Sequence, residues 1–391
     1  MQFASALSKT IDTEIAVRDV VDALQAQLGS TSIDLACLFF SAHHAPQAEL
    51  LTNILMGVLR PRLLIGCSGE GVISGVEELE GSPALTVWAA ALPGVDLYPV
   101  RSSFSPMQDQ FHLAGWPEPV AETATFLVLA DPFTTPVQEM LGLLEERYPR
   151  AKVLGGLAGG GQEAGMNRLV FNDEVFDGGM VGVRLSGAVE IRPIISQGCR
   201  LIGERCVVTK AERNLIHELG GEPALKRLQA VFESLSEEDR QRALHLGIVI
   251  DEHRNRFERG DFLIRNLLGA DRSSGAVAVG EVVQEGQTVQ FHLRDAESAS
   301  EDLNSLLAAD RSSRQSPPLG ALMFSCCGRG QGLFGRPNHD AGAVAEQLGS
   351  IPMAGFFAQG EIGPIGHRNF LHGYTASMAL FAERPASSSR S

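Results

Sequence analysis

Arg62-Leu63-Leu64-Ile65-Gly66-Cys67-Ser68-Gly69-Glu70-Gly71 is an apolar run of strand length that breaks into a tight glycine loop. The stretch before it is a second apolar run, Asp34 to Ser41, followed by an apolar-periodic segment from Gln47 to Leu59. Pro46 near its start and Pro61 beyond its end mark that segment as a helix. Strand, helix, strand and glycine loop describe a parallel β-α-β crossover.

The same order recurs twice. Phe126 to Ala130, Pro136 to Tyr148 and Lys152 to Leu154 precede Gly155-Gly156-Leu157-Ala158-Gly159-Gly160-Gly161. Gly320 to Phe324, His339 to Leu348 and Ile351 to Phe357 precede Gln359-Gly360-Glu361-Ile362-Gly363. Three such units in one chain indicate internal duplication. Between them, Thr86 to Leu92, Met180 to Leu185, Val189 to Ser196, Val289 to Leu293 and Tyr374 to Phe381 read as strands joined by short turns, the habit of antiparallel sheet. Glu14 to Leu28 reads as an amphipathic helix capped by Thr13. Ala224 to Ser234 and Glu237 to Leu244 read as two further helices, with Ser236 capping the second. The fold class expected is α/β, with mixed sheets built from duplicated strand-helix-strand units plus antiparallel strands, covered by helices. The expected domains are 1–208 and 209–383, followed by a frayed tail, 384–391.

Composition narrows the function. Of 391 residues, 32 are Lys or Arg and 47 are Asp or Glu, giving a net charge of −15, while 42 are glycine. Such a surface is wrong for coating nucleic acid or adsorbing to an anionic membrane. No basic leader precedes an apolar core at the N-terminus, and prolines interrupt the longest uncharged stretches, such as Gly81 to Val95. The six cysteines show no C-x-x-C spacing. A cytoplasmic protein with reduced thiols is expected, with neither metal nor cofactor.

Several residues at the loops have chemistry to offer. Gly66 to Gly71 misses the G-x-S-x-G nucleophile elbow, since residue 70 is Glu. Gly155 to Gly161 fits neither G-x-G-x-x-G nor a P-loop, and is either an anion nest or a closely packed crossover. Ser325-Cys326-Cys327-Gly328-Arg329 sits at a strand end. A thiol there needs a base to be a nucleophile, and His339, His367 and His372 are the candidates. Arg329 can fork onto a carboxylate, either a ligand's or that of Glu361. Glu361 lies in a rigid turn, and Glu70 takes the equivalent place in the first unit. Further on, Arg265 with Asp295, or Arg294 with an acid elsewhere, would be structural pairs.

Taken in order, Phe262 to Asn266, Gly275 to Gly280, Gly286 to Asp295, Phe324 to Arg329, Ala354-Gly355-Phe356 and Gly360 to Pro364 resemble the C-terminal domain of FIST proteins. Leu64 to Gly71, Val153 to Gly161 and Gly178 to Leu185 resemble the FIST N-terminal domain. The resemblance covers about residues 30 to 382. It implies a sensory or ligand-binding module of intracellular signal transduction, of the kind found in bacterial signalling proteins and a eukaryotic F-box protein, with small ligands such as amino acids. No output domain or F-box segment is visible, so a stand-alone form is expected. The ligand site expected is Cys67, Ser68, Glu70, Ser325, Cys326, Arg329 and Glu361, with Arg329 for a ligand carboxylate and Glu70 or Glu361 for its ammonium. The rivals are an adaptor docking on a signalling partner and an enzyme using Cys326 or Cys67.

Overall fold

The computed structural model describes residues 1–105, 110–111, 116–119, 124–254, 256–314 and 316–384. Of the tail expected at 384–391, residues 385–391 lie outside the described residues, and the Arg384 N–H donates to the Ala188 carbonyl at 3.1 Å. The chain forms two compact units, one of residues 1–195 with 304–391 and one of residues 196–303.

The three crossovers of the sequence are all present in the first unit. Leu35–Ser41 pairs in parallel with Leu63–Gly69, Thr125–Ala130 with Lys152–Leu157, and Gly320–Cys326 with Met353–Ala358. Their helices are Ala48–Val58, Val137–Arg147 and His339–Leu348. Each parallel pair is the middle of its own six-stranded sheet, and the three sheets have one plan. Beside the first strand of each pair runs an antiparallel return strand: Leu85–Ala91, Met180–Gly187 or Ala376–Glu383. Outside that lies the strand that opens the repeat: Gln2–Ser8, Val95–Ser102 or Val189–Ser196.

The other flank of each sheet is exchanged. After its glycine turn, each repeat sends a hairpin into a neighbour. Gly71–Ser74 with Glu77–Glu80 joins the third repeat beside Met353–Ala358. Leu169–Phe171 with Glu174–Phe176 joins the first repeat beside Leu63–Gly69. Glu361–Ile365 with Arg368–His372 joins the second repeat beside Lys152–Leu157. The exchange is cyclic, so the duplication read from the sequence is a three-fold repeat with interlocked sheets.

One glycine position recurs for a packing reason. Gly66, Gly155 and Gly355 stand opposite Leu38, Val128 and Met323 in the parallel pairs. A Cβ would lie 2.3, 1.8 and 1.8 Å from those residues' carbonyl oxygens. Only a residue without a side chain permits this approach. The inner faces of the sheets supply an apolar core that includes Phe39, Trp88, Phe324, Phe356 and Phe381. A second core, from Val17, Val20, Leu24, Leu51 and Leu55, seats the first repeat's helices on its sheet. The helix Thr13–Leu28 carries the apolar stripe expected of it, but its cap is Asp12, whose side chain accepts from the Ile15 N–H at 3.0 Å.

The second unit is inserted in the third repeat, after its opening strand Val189–Ser196. Its strands form an antiparallel sheet in the order Cys199–Glu212, Thr288–Arg294, Leu244–Val249, Phe262–Asp271, Ala276–Val279, Leu215–Leu219 and Glu222–Pro223. Cys199–Glu212 also pairs with Leu215–Leu219, which closes six strands into a barrel around Ile202, Leu246, Phe291 and Leu293. Bulges in Cys199–Glu212 and Phe262–Asp271 supply the bends. The helix Ala224–Ser234 is as expected, but Glu237 to Leu244 is not helical. It holds a single 3-10 turn, Asp239–Gln241, and Leu244 already begins a strand. Arg265 pairs with Glu281 at 2.8 Å, not with Asp295. Asp295 is bonded instead by Arg200 at 3.3 Å.

Candidate functional site

The three glycine turns meet. The Glu70 N–H donates to the Phe357 carbonyl at 3.0 Å, the Gly159 N–H to Ser68 at 3.0 Å and the Gln359 N–H to Leu157 at 3.1 Å. Each bond joins the same position of one turn to the same position of the next, closing a ring of three main-chain bonds. This register corrects one expectation: Glu70 is equivalent to Gly159 and Gln359, whereas Glu361 matches Val72. The turns also bond through side chains. Gly160 N–H donates to Glu70 Oε2 at 3.2 Å, and Gln359 Nε2 donates to the Gly161 carbonyl at 3.0 Å. The Gly155–Gly161 segment is therefore a closely packed crossover whose one described anion partner is the protein's own Glu70.

Glu361 begins the hairpin that leaves the third turn. It is 0% exposed. Its Oε2 accepts the Thr375 N–H at 3.1 Å, and its Oε1 has no donor among the described residues. Burial, with the adjacent Cys326 thiol, pushes its carboxyl well above the usual carboxylate range. Cys326 is buried, and its Sγ accepts the Gly328 N–H at 3.5 Å. Cys327, the next residue, is exposed, and its N–H is fixed on the Ala358 carbonyl at 3.0 Å. The neighbouring thiols act on each other: Cys327, with burial, pushes Cys326 up, and Cys326 pulls Cys327 down. Glu361 and Glu70 both act on Cys327 and oppose the lowering. Glu70, Cys326, Cys327 and Glu361 thus form one cluster at the junction, exposed acid and thiol above, buried thiol and carboxyl beneath.

Arg329 is elsewhere. Its Nε and Nη2 fork onto Asp340 at 2.6 and 2.9 Å, and both side chains are 1% exposed. The fork the sequence reading gave to a ligand carboxylate or to Glu361 is taken here by Asp340, and Glu361 lies within reach of the Arg329 charge. Asp340 is held well below the usual carboxylate range by Arg329, against the pull of burial. His339 Nδ1 lies 2.9 Å from the same carboxylate, so that histidine is engaged as well. Ser325 Oγ contacts Asp340 at 3.4 Å. The exchanged hairpin closes this cluster: Glu78 Oε1 accepts the Ala341 N–H at 2.7 Å and Glu80 Oε1 accepts the Gln331 N–H at 2.8 Å. Burial and the neighbouring Asp340 push Glu78 up to about 7.

The remaining residues of the expected site do not reach the junction's open side. Cys67 is 0% exposed in the apolar core, and burial drives its thiol well up. Ser68 Oγ accepts the Arg168 N–H at 3.1 Å and serves the exchanged strand. His372 Nε2 is bonded to the Gly363 carbonyl at 3.0 Å. Cys327, Asp340 and Glu78 were not singled out from sequence. Cys327 had a signal in its neighbour Cys326, and Asp340 in being an acid in the first turn of a helix; Glu78 had none.

A FIST N domain matches residues 34–222 and a FIST C domain matches residues 224–364. The chain belongs to the FIST family. Its FIST domains are sensory domains of signal transduction. It is 39% identical over 388 residues to the uncharacterized protein Rv0628c of Mycobacterium tuberculosis strain H37Rv, covering 98% of this chain and 100% of the relative. It is likewise 39% identical over 388 residues to the uncharacterized protein Mb0898c of Mycobacterium bovis, covering 98% of this chain and 99% of that one. Three-turn junction and barrel insertion together make up this FIST chain. None of its described helices is long and apolar enough to cross a membrane.

Proposed function

We propose that this FIST protein senses a small amine-bearing metabolite, such as an amino acid, at the junction of its three turns. The observation that carries this is the Glu361 carboxyl, fully buried beside Cys326 yet with Oε1 lacking a donor among the described residues. A buried polar atom without a partner costs about 1–3 kcal/mol, a deficit that a ligand N–H can remove. Glu70 supplies a second acid at the rim. Arg329 is committed to Asp340, so a ligand carboxylate would be met by main-chain N–H groups or by solvent, and the selective element is the amine.

Burial pushes the Glu361 carboxyl up toward its neutral form in the empty site, whereas an ammonium needs a carboxylate. Binding an ammonium therefore expels a proton, and affinity rises with pH through the titration of Glu361. A thermal-shift screen of amino acids and simple amines tests the reading. The expected result is stabilisation by at least one amine, stronger at pH 8 than at pH 6 and lost in Glu361→Gln. Stabilisation that persists unchanged in Glu361→Gln, or that no amine produces, overturns it. A signalling partner would read the liganded state, and because the ring bonds tie the three sheets together, a ligand there bears on all of them.

A further inference from the structure

We propose that Arg184 and Arg147, on the helix-covered face of the second repeat's sheet, hold the phosphate group of a small soluble metabolite. The proposal goes beyond amine sensing and does not depend on it.

Arg184 is a buried cation that no acid meets. It lies on Met180–Gly187, opposite Tyr98 on one flanking strand and Phe126 on the other. A strand's period of two sends Val181, Val183 and Leu185 into the central core. Met180 and Arg184 turn to the opposite face, where Met180 joins the core beneath the helix Val137–Arg147. Arg184 is 8% exposed there. Its Nη1 donates to the Glu118 carbonyl at 2.9 Å, its Nε is buried without a partner, and no carboxylate among the described residues pairs with it. The Tyr98 ring, 5.5 Å from its Cζ, offers only a π face. A buried carboxyl or histidine escapes its charge by gaining or losing a proton, but a guanidinium does not. A charge so placed calls for a counter-charge, and the described chain supplies none. The edge left over, Nε with Nη2, is the fork that fits two oxygens of one oxyanion.

The surroundings hold that fork in place. Trp116, Pro117 and Glu118 cross this face, and each of their carbonyls is taken by a side chain of the sheet or helix. Arg147 Nη2 donates to Trp116 at 3.3 Å, the Tyr148 phenol to Pro117, and Arg184 Nη1 to Glu118. Trp116 anchors the crossing: its ring stacks on Phe126 at 5.6 Å and its Nε1 donates to Ser102 Oγ at 2.8 Å. Arg147 is the second cation, with its Cζ 5.6 Å from the centre of the Tyr148 ring. Burial raises the Tyr148 phenol, and Arg147 and Arg184 both act against it, so the two guanidinium groups flank one tyrosine.

Charge selects the ligand class. Among the described residues, the acid that reaches this pair is Glu118, 3.4 Å from Arg147 and 91% exposed at its side chain. Such a solvent-screened pair is weak, and a ligand displaces it at little cost. Two guanidinium groups against one screened acid suit a dianion better than a single carboxylate. A phosphate monoester carries about −1.5 to −2 charges at pH 7. A phosphate group could also belong to a lipid, but a net charge of −15 works against an anionic membrane, so the soluble source is favoured.

Calorimetric titration of the full chain with inorganic phosphate and with glycerol phosphate, at an ionic strength held constant with chloride, tests the site. Both should bind, and acetate should bind at least about tenfold more weakly. Arg184→Lys keeps a charge but loses the fork, while Arg147→Gln removes the outer cation and leaves the buried one untouched. Each should weaken phosphate binding at least about tenfold. Glu118→Gln removes the competing acid and should bind phosphate no more weakly than wild type. Absence of binding by both phosphates overturns the proposal without any variant. Phosphate binding unchanged in both Arg184→Lys and Arg147→Gln overturns the site, and acetate equal to phosphate overturns the ligand class. Co-sedimentation with phosphatidic acid vesicles, without binding of glycerol phosphate, overturns the soluble source. Glu361→Gln, which removes the amine response, should leave phosphate binding intact, so failure of either idea is visible on its own.

Discussion

Replacing Glu78 by Gln should make the first unit more stable above neutrality and no more stable in acid. Glu78 sits in the exchanged hairpin, caps the helix His339–Leu348 through the Ala341 N–H, and has its other oxygen unpartnered among the described residues. Its carboxyl titrates near 7 in the folded chain against 4.5 unfolded. Below 4.5 both states hold the proton and pH has no effect through this group. Between 4.5 and 7 only the unfolded state ionises, so stability falls as pH rises. Above 7 the loss is constant. A separation of about 2.5 pH units at about 1.4 kcal/mol each gives roughly 3 kcal/mol. Gln keeps the carbonyl acceptor for Ala341 and cannot ionise. Trp88 and Trp116 both lie in the first unit and are buried, so urea unfolding followed by tryptophan fluorescence reports on it. The advantage of Glu78→Gln over wild type should grow by roughly 3 kcal/mol from pH 4.5 to pH 8. Glu361 titrates in both proteins and cancels in the difference. Parallel stability curves would refute the reasoning and mean that Glu78 is ionised, with its charge met by Arg329.

Arg329→Ala should cost about 3–5 kcal/mol, because it strands the Asp340 charge in the interior. The double change Arg329→Met with Asp340→Leu should recover most of that by chemical denaturation. In the barrel, burial lowers His245 and His292 each to about 4 from 6.5. A depressed histidine stays neutral when folded but takes a proton when unfolded, so stability falls as pH drops from 6.5 to 4. The loss is roughly 3 kcal/mol per histidine, and faster hydrogen exchange in Leu244–Val249 and Thr288–Arg294 should register it. Gly355→Ala should lower the melting temperature more than Gly142→Ala inside the helix Val137–Arg147, since its Cβ would meet the Met323 carbonyl at 1.8 Å while Gly142 faces open space. Equal effects in a calorimetric scan would contradict that packing argument.

The crossovers were legible because each is local: an apolar run, a helix with a 3.6-residue stripe, a second run and a glycine stop. His339–Leu348 and Ala224–Ser234 fall where the periodicity places them. The exchange was not legible. Leu169–Phe171 is three residues long and its partner Cys67 is about a hundred residues away, too short a segment to show a period and too distant for spacing to speak. The stretch Glu237 to Leu244 reads as a helix capped by Ser236, yet it holds one 3-10 turn, Asp239–Gln241, and its last residue already opens the strand Leu244–Val249. Glu70, Cys326 and Glu361, which lie together at the junction, were legible because turn residues with chemistry stand out against apolar strands. Arg329 was legible as a carboxylate-forking residue, but its partner Asp340 was not. Asp340 is eleven residues on, across a loop and in another helix, and nothing in a linear text distinguishes that carboxylate from a ligand's.

Exchange also sets a schedule for biosynthesis. The hairpin ending at Glu80 has no host strand until Met353 emerges, 353 − 80 = 273 residues later. At about 5–20 residues per second, that leaves it unpaired for roughly 15–55 s on the ribosome. An orphan strand pair of that age invites adhesion to other nascent chains. Three of the four residues of its outer strand, Glu77, Glu78 and Glu80, are acidic. The carboxylates that become helix caps after assembly are, before it, a repellent coat on an unprotected edge.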